Sequence, residues 1–185
     1  MKKIHLQKVS LITYEKINGN IITDVKANDV AFDTTASGSL YQSIDSAQEY
    51  DVLVAGLNQM RTGNYNPDFI LLNPTDYAKL AILKDSNGAY LKGGLFQSNR
   101  PSIDGVTIQQ SSAVTSGEFH ILDSNRYGRY FNRESLTVLI GLDGNDFSSG
   151  TRTAIAVHRG KLGVFDTSAC VSGIFSTAIT SLETP

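Results

Sequence analysis

The sequence predicts an α+β fold, and three of its features do so. Helix-like and strand-like patterns are segregated along the chain: short β-branched runs, then helix–strand–helix between residues 46 and 86, then strand-like segments from residue 100 onward. At 185 residues the chain suits one ordinary domain, or one domain with a smaller lobe. Its composition, 41% hydrophobic and 18% charged, is close to the globular norm. Such a chain buries a core without needing a disulfide or a metal to fold.

Taken in order, Val9 to Ile17 and Asn20 to Val25 flank Asn18-Gly19, a dipeptide that favours a two-residue hairpin turn, so a hairpin is expected here. Residues 33 to 43 are small and polar and read as a loop. Ser46 and Glu49 have capping-box spacing, and Tyr50, Leu53, Leu57 and Met60 follow as one apolar stripe. This predicts a helix that stops at Gly63, where glycine takes the left-handed conformation cheaply. Asp68 to Leu72 is a short apolar run closed by Asn73-Pro74, which favours a buried strand. Proline is tolerated in a first helical turn, so a second helix is expected from Pro74, with Tyr77, Leu80, Ala81 and Lys84 on one face and Asn87-Gly88 at its end. Strands are then expected at Gly105 to Gln109, Glu118 to Leu122, Tyr127 to Phe131, Leu136 to Ile140, Arg152 to His158 and Leu162 to Phe165, with glycines at the turns.

The formal net charge of −2 lacks the basic excess of proteins that grip polyanions through phosphate contacts. A single cysteine, Cys170, makes no internal disulfide and no cysteine-rich zinc site, and fits a reducing compartment. No apolar run approaches the ~18 residues of a membrane helix, and Met1 to Lys8 is not followed by an apolar stretch as in a secretory signal. The chain therefore reads as soluble and intracellular. Low charge with much Ser, Thr, Asn and Gly suits a surface partly covered by neighbours.

The ordered motifs resemble the HK97-type phage major capsid family. Asp51-Val52-Leu53, then Asn64 to Pro74, resemble a family helix leading to an apolar strand that ends in Asn-Pro. Leu83 to Leu91 and the hairpin at Ile103 to Ile108 continue the likeness. Glu118 to Asp123, Arg133 to Val138, and Asn145-Asp146-Phe147 before Arg152 to Val164 complete it. The resemblance spans residues 45 to 172. It implies a mixed sheet flanked by helices, matching the family's axial domain, with part of the peripheral domain. Residues 1 to 44 then form an N-terminal strand and loop segment, and 45 to 185 an axial-like region whose last strands return to the peripheral domain. Family members carry an N-terminal arm, an extended loop and a long spine helix ahead of the matched region, none of which is read in residues 1 to 44. The sequence is a piece of a longer member or a divergent short one.

The resemblance further implies a shell subunit whose partners are copies of itself in hexamers and pentamers, with scaffold, portal or decoration proteins and non-specifically packaged DNA. It implies a place in the virion, with assembly in the bacterial host cytoplasm. The encapsulin nanocompartments share the fold and are the cellular alternative. The lysine–asparagine crosslinking of one family branch uses the extended loop and is not expected here.

No catalytic, cofactor or metal site is expected. His5, His120 and His158 have no His-x-x-x-His spacing and read as structural. Asp143-Gly144-Asn145-Asp146 reads as a turn, since Phe147 breaks the calcium-loop order. The pair Asp123/Glu118 would need placement across a cleft for glycosidase chemistry, which sequence does not show, Lys92-Gly93-Gly94 reads as a turn, and Cys170 as a buried thiol. No nucleophile elbow is present. The stretch Arg126 to Arg133 interleaves arginine with tyrosine and phenylalanine, a pattern that stacks on bases and neutralises phosphates. Arg126, Arg129, Tyr130 and Arg133 are accordingly the expected subunit contacts, or, in the alternative, the contacts of a nucleic-acid- or protein-binding module.

Overall fold

A computed structural model of the chain describes residues 3–34, 44–83, 102–142, 144, 146–150 and 152–183, leaving aside the side chains of residues 3–14 and of Phe147. The expectations for the loop at 35–43, for Asn87-Gly88 and for Lys92-Gly93-Gly94 lie outside these residues. The chain forms two compact units, one of Met1–Ile21 with Arg129–Gly163 and one of Ile22–Gly128 with Val164–Pro185.

The hairpin expected at Asn18-Gly19 is not formed. Residues Lys3–Lys26 make one helix, α1. The β-branched composition that suggested strands is overridden by packing: Ile22 and Val25, one helical turn apart, are both buried. Gly19 costs the helix only about 1 kcal/mol relative to alanine.

The larger unit is built on a six-stranded mixed sheet in the order β1-β8-β5-β2-β4-β3. Its strands are β1 (Val30–Ala31), β2 (Phe69–Leu72), β3 (Ser102–Ile103), β4 (Val106–Gln110), β5 (Glu118–Leu122) and β8 (Cys170–Ile174). Parallel pairs join β1 to β8 and β2 to β4, while β8–β5, β5–β2 and β4–β3 are antiparallel. Asp104 and Gly105, with φ of 50° and 82°, make the two-residue turn between β3 and β4.

Helices α2 (Glu49–Thr62), α3 (Pro74–Ala81) and α6 (Phe175–Glu183) supply the apolar side chains that pack with the sheet. Leu53, Leu57 and Met60 of the expected stripe are buried, but Tyr50 is 42% exposed. The helix starts two residues beyond the expected cap. Gln48 is the cap, its backbone N–H donating to the Asp51 carboxylate at 2.9 Å, while Ser46 sits in a turn at φ 57°. Gly63 does end α2, but at φ −76°, and the left-handed residue is Asn64 at φ 61°.

Helix α3 ends at Ala81, short of the expected Asn87-Gly88. Its cap explains its start. The Asn73 side chain accepts the Thr75 N–H at 2.9 Å and donates to the Val114 carbonyl at 2.7 Å. Asn73→Ala is expected to cost about 1–2 kcal/mol of stability in chemical denaturation. A loss within experimental error would show that neither bond contributes.

Alternation along β5 divides the sheet unit. Phe119 and Ile121 join the core formed with α2 and α6, and Val171 of β8, paired with Ile121, belongs to the same core. His120 and its partner Ser172 therefore point to the opposite face, as does Cys170, paired with Leu122.

Candidate assembly surface

The second unit rests on two long strands, β6 (Gly128–Gly141) and β7 (Thr153–Val164), paired as a two-stranded ribbon. Between them lies the short helix α5 (Asp146–Ser149), where the Asp146 carboxylate accepts the Thr153 hydroxyl at 2.6 Å. The four strands expected from Tyr127 onward thus merge into two, because Asn132 to Ser135 and Arg159 to Lys161, which fall between the expected strands, lie within β6 and β7.

The expected strand Tyr127 to Phe131 is also divided. Arg126 and Tyr127 lie in a one-turn helix, α4 (Ser124–Tyr127), of the sheet unit. Asp123 caps it, accepting from the Asn125 and Arg126 backbone, and its other oxygen accepts the Asn66 N–H at 3.0 Å. Tyr127 is buried, its hydroxyl donating to the Asn28 carbonyl at 3.0 Å. The Arg126 guanidinium lies 5.4 Å from the centre of the Tyr65 ring and donates to the Asn64 carbonyl at 3.2 Å. Arg126 thus belongs to the sheet unit, whereas Arg129, Tyr130 and Arg133 belong to β6 of the other unit.

On β6, Arg129, Phe131 and Arg133 alternate with Tyr130, Asn132 and Glu134. Tyr130 shares a hydrogen bond with His158 Nε2 at 2.8 Å, and the two rings stack with centroids 6.1 Å apart and planes 6° from parallel. Gly160 and Gly163 of β7 make room for the rings of Tyr130 and Phe131, which lie where a Cβ would stand. Arg159 pairs with Glu134 at 3.3 Å, both exposed, a contact worth at most about 1 kcal/mol.

The ribbon's apolar residues have little cover. Phe131, Leu139, Ile140 and Ile155 are each more than half exposed, and among the described residues of this unit no apolar side chain is buried. A two-stranded ribbon is marginal by itself in water, and exposed apolar strands are templates for pairing with another chain.

The remaining sequence candidates have structural surroundings. Glu118 pairs with Lys26, which also donates to the Thr115 hydroxyl at 2.9 Å. Cys170 is buried, as expected, and burial pushes its thiol well above the usual range. Asp143 and the side chain of His5 lie outside the described residues. Among those described, no helix is long and apolar enough to cross a membrane.

Comparison with known proteins supplies the context of this surface. The model of the phage capsid family matches residues 13–174, most of the chain. This chain belongs to the phage capsid family. Over 130 residues it is 26% identical to the major capsid protein of Enterobacteria phage HK97, covering 69% of this chain and 33% of that protein. The fold is that of a virus-like particle from Pyrococcus furiosus, with a TM-score of 0.56, 14% identity, and 86% of this chain and 62% of that one covered. It is also that of the capsid of an empty GTA particle, with a TM-score of 0.52, 20% identity, and 79% and 49% covered. Mycobacterium phage Cain gives a TM-score of 0.52 at 14% identity, with 83% and 53% covered. The chain thus spans a third of the length of its curated relative, and about half to three-fifths of these solved chains. The HK97-like α+β fold stands as expected, and the encapsulin-like alternative is not favoured. The family match begins at residue 13, within α1, rather than near the expected residue 45.

Proposed function

We propose that the chain is a structural subunit of a phage head shell, and that the β6–β7 ribbon is a surface on which neighbouring copies pack. The observation that carries this reading is the ribbon's exposed apolar side chains, Leu139, Ile140 and Ile155, each more than half exposed, in a chain of the phage capsid family. Arg129 and Arg133 belong to one face of the ribbon's contact surface, Tyr130 to the other, and Arg126 to a contact on the sheet unit. In a closed shell each modest contact is repeated by symmetry, so strength is collective and no side chain need perform chemistry. We accordingly infer no enzymatic role.

The sheet unit corresponds on this reading to the axial domain. The ribbon corresponds to part of the peripheral domain, and α1 to its spine helix. The partners are copies of the chain in hexamers and pentamers, with scaffold, portal or decoration proteins and packaged DNA around them. The site of action is the virion, after assembly in the host cytoplasm. The net charge of −2 favours protein over nucleic acid as the ribbon's principal partner.

Sedimentation velocity with negative-stain microscopy tests the proposal. The chain is expected to associate into capsomer-sized or larger species as its concentration rises. Leu139→Lys with Ile155→Lys is expected to hold it at the monomer with unchanged circular dichroism. A wild-type chain that stays monomeric throughout, or a double variant that associates equally well, overturns it.

A further inference from the structure

We infer that Asp29, His120 and Cys170 form a binding site for one transition-metal cation of the zinc class, with the imidazole, thiolate and carboxylate as ligands. The sheet register brings the three together. His120 and Cys170 stand on adjacent strands, β5 and β8, one diagonal step apart on the same face, and Asp29 immediately precedes β1, the strand next to β8. Their ligand atoms all lie within 4.8 Å of one another. Tetrahedral zinc holds such ligands roughly 3.4–3.8 Å apart, so small side-chain rotations close the site.

The independent sign of a ligand is His120. Its side chain is 3% exposed, yet neither ring nitrogen has a hydrogen-bond partner among the described residues. The nearest charged oxygen, Asp29 Oδ2, stands 3.9 Å from Nδ1, beyond hydrogen-bonding distance. Buried polar atoms in native proteins are nearly always satisfied, so an imidazole with two orphaned nitrogens calls for an absent partner.

The surroundings suit a dication. A cation would displace the proton that burial keeps on the Cys170 thiol, and the resulting thiolate with the Asp29 carboxylate would neutralise its two charges, while the ammonium of Lys26 is already paired with Glu118. The Ser172 hydroxyl donates to the Asp29 carboxylate, an outer contact of the kind that orients a metal ligand. A pocket of about 210 Å³, lined by Lys26, Asp29, Glu118, His120 and Ser172 but not by Cys170, opens onto the carboxylate and imidazole side of the site and has room for a water as fourth ligand. The cation would fasten the segment after α1 to the two strands at the centre of the sheet unit.

Cobalt(II) titration of the chelator-treated full chain under anaerobic conditions tests this. Because Cys170 is the only cysteine, a thiolate-to-cobalt charge-transfer band identifies its ligation without any variant. The band is expected to saturate at one cobalt per chain and to vanish when one equivalent of zinc is added. Zinc at about a hundredfold above its Kd is expected to raise Tm by roughly 5–10 °C. His120→Gln and Asp29→Asn are each expected to weaken cobalt binding at least tenfold, while His158→Gln leaves it unchanged. Absence of the band at millimolar cobalt overturns the inference, as does a band of equal affinity in His120→Gln and Asp29→Asn.

Discussion

Replacing Phe119 by alanine is expected to destabilise the sheet unit by about 3–5 kcal/mol, the largest effect of any single truncation proposed for it. The ring is fully buried on β5 at the middle of the sheet. It meets Phe32 edge-on with centroids 5.9 Å apart and Phe175 at 5.0 Å with planes tilted by 40°. Across the β5–β8 pair its partner is Gly173, and a Cβ there would stand 3.0 Å from the Phe119 ring. The ring therefore occupies space that β8, α6 and the segment after β1 leave for it, and its loss opens a void that cannot close without moving a strand. Urea denaturation measures the effect. A loss below about 1 kcal/mol would mean that the surroundings collapse onto the gap and that this packing is not specific.

The second large effect concerns Asp76. Its carboxylate is buried on α3 and accepts the Gly117 N–H at 2.6 Å, the Ser116 hydroxyl at 3.0 Å and the Lys79 ammonium at 2.9 Å. It thereby ties the helix to the turn before β5. Asp76→Ala leaves the Gly117 donor unsatisfied and is expected to cost about 2–4 kcal/mol at neutral pH. Burial alone would raise the carboxyl's pKa, but the Gly117, Lys79 and Ser116 contacts together outweigh it and hold the value below its ordinary 3.8. A carboxyl depressed on folding stabilises fully above its unfolded value, and that contribution is lost as pH falls through the folded one. The stability gap between the wild type and Asp76→Asn should thus be wide at pH 7 and narrow below about pH 4. A gap independent of pH would remove the ionised carboxylate from the explanation.

Much of the sheet unit is legible in the sequence, because local chemistry and tertiary demand agree there. The apolar spacing of Leu53, Leu57 and Met60, the run Phe69 to Leu72, and Asn73-Pro74 each have one reading, and the fold adopts it. At Asn18-Gly19 they disagree. A strong turn dipeptide is carried inside a helix whose last turn is held by Ile22 and Val25, contacts that no local window contains. Tyr127 reads as one more strand aromatic, and the partners that let its hydroxyl be buried, the Asn28 and Val25 carbonyls, are distant in sequence. The candidate site divides likewise. Arg129, Tyr130 and Arg133 were visible as neighbours because they share one strand. Asp29, His120 and Cys170 were not, because register rather than spacing unites them, and a search for metal ligands at fixed intervals passes over such a set.

The chain leaves the sheet unit after Gly128 and re-enters it at Val164. The Phe165 N–H donates to the Tyr127 carbonyl at 2.8 Å, so the two ends of this excursion are already fastened side by side. Residues can be added to both strands of the ribbon in matched numbers without altering the separation of its roots. The length of the ribbon is thereby decoupled from the stability of the sheet unit, and one sheet can carry ribbons of different length.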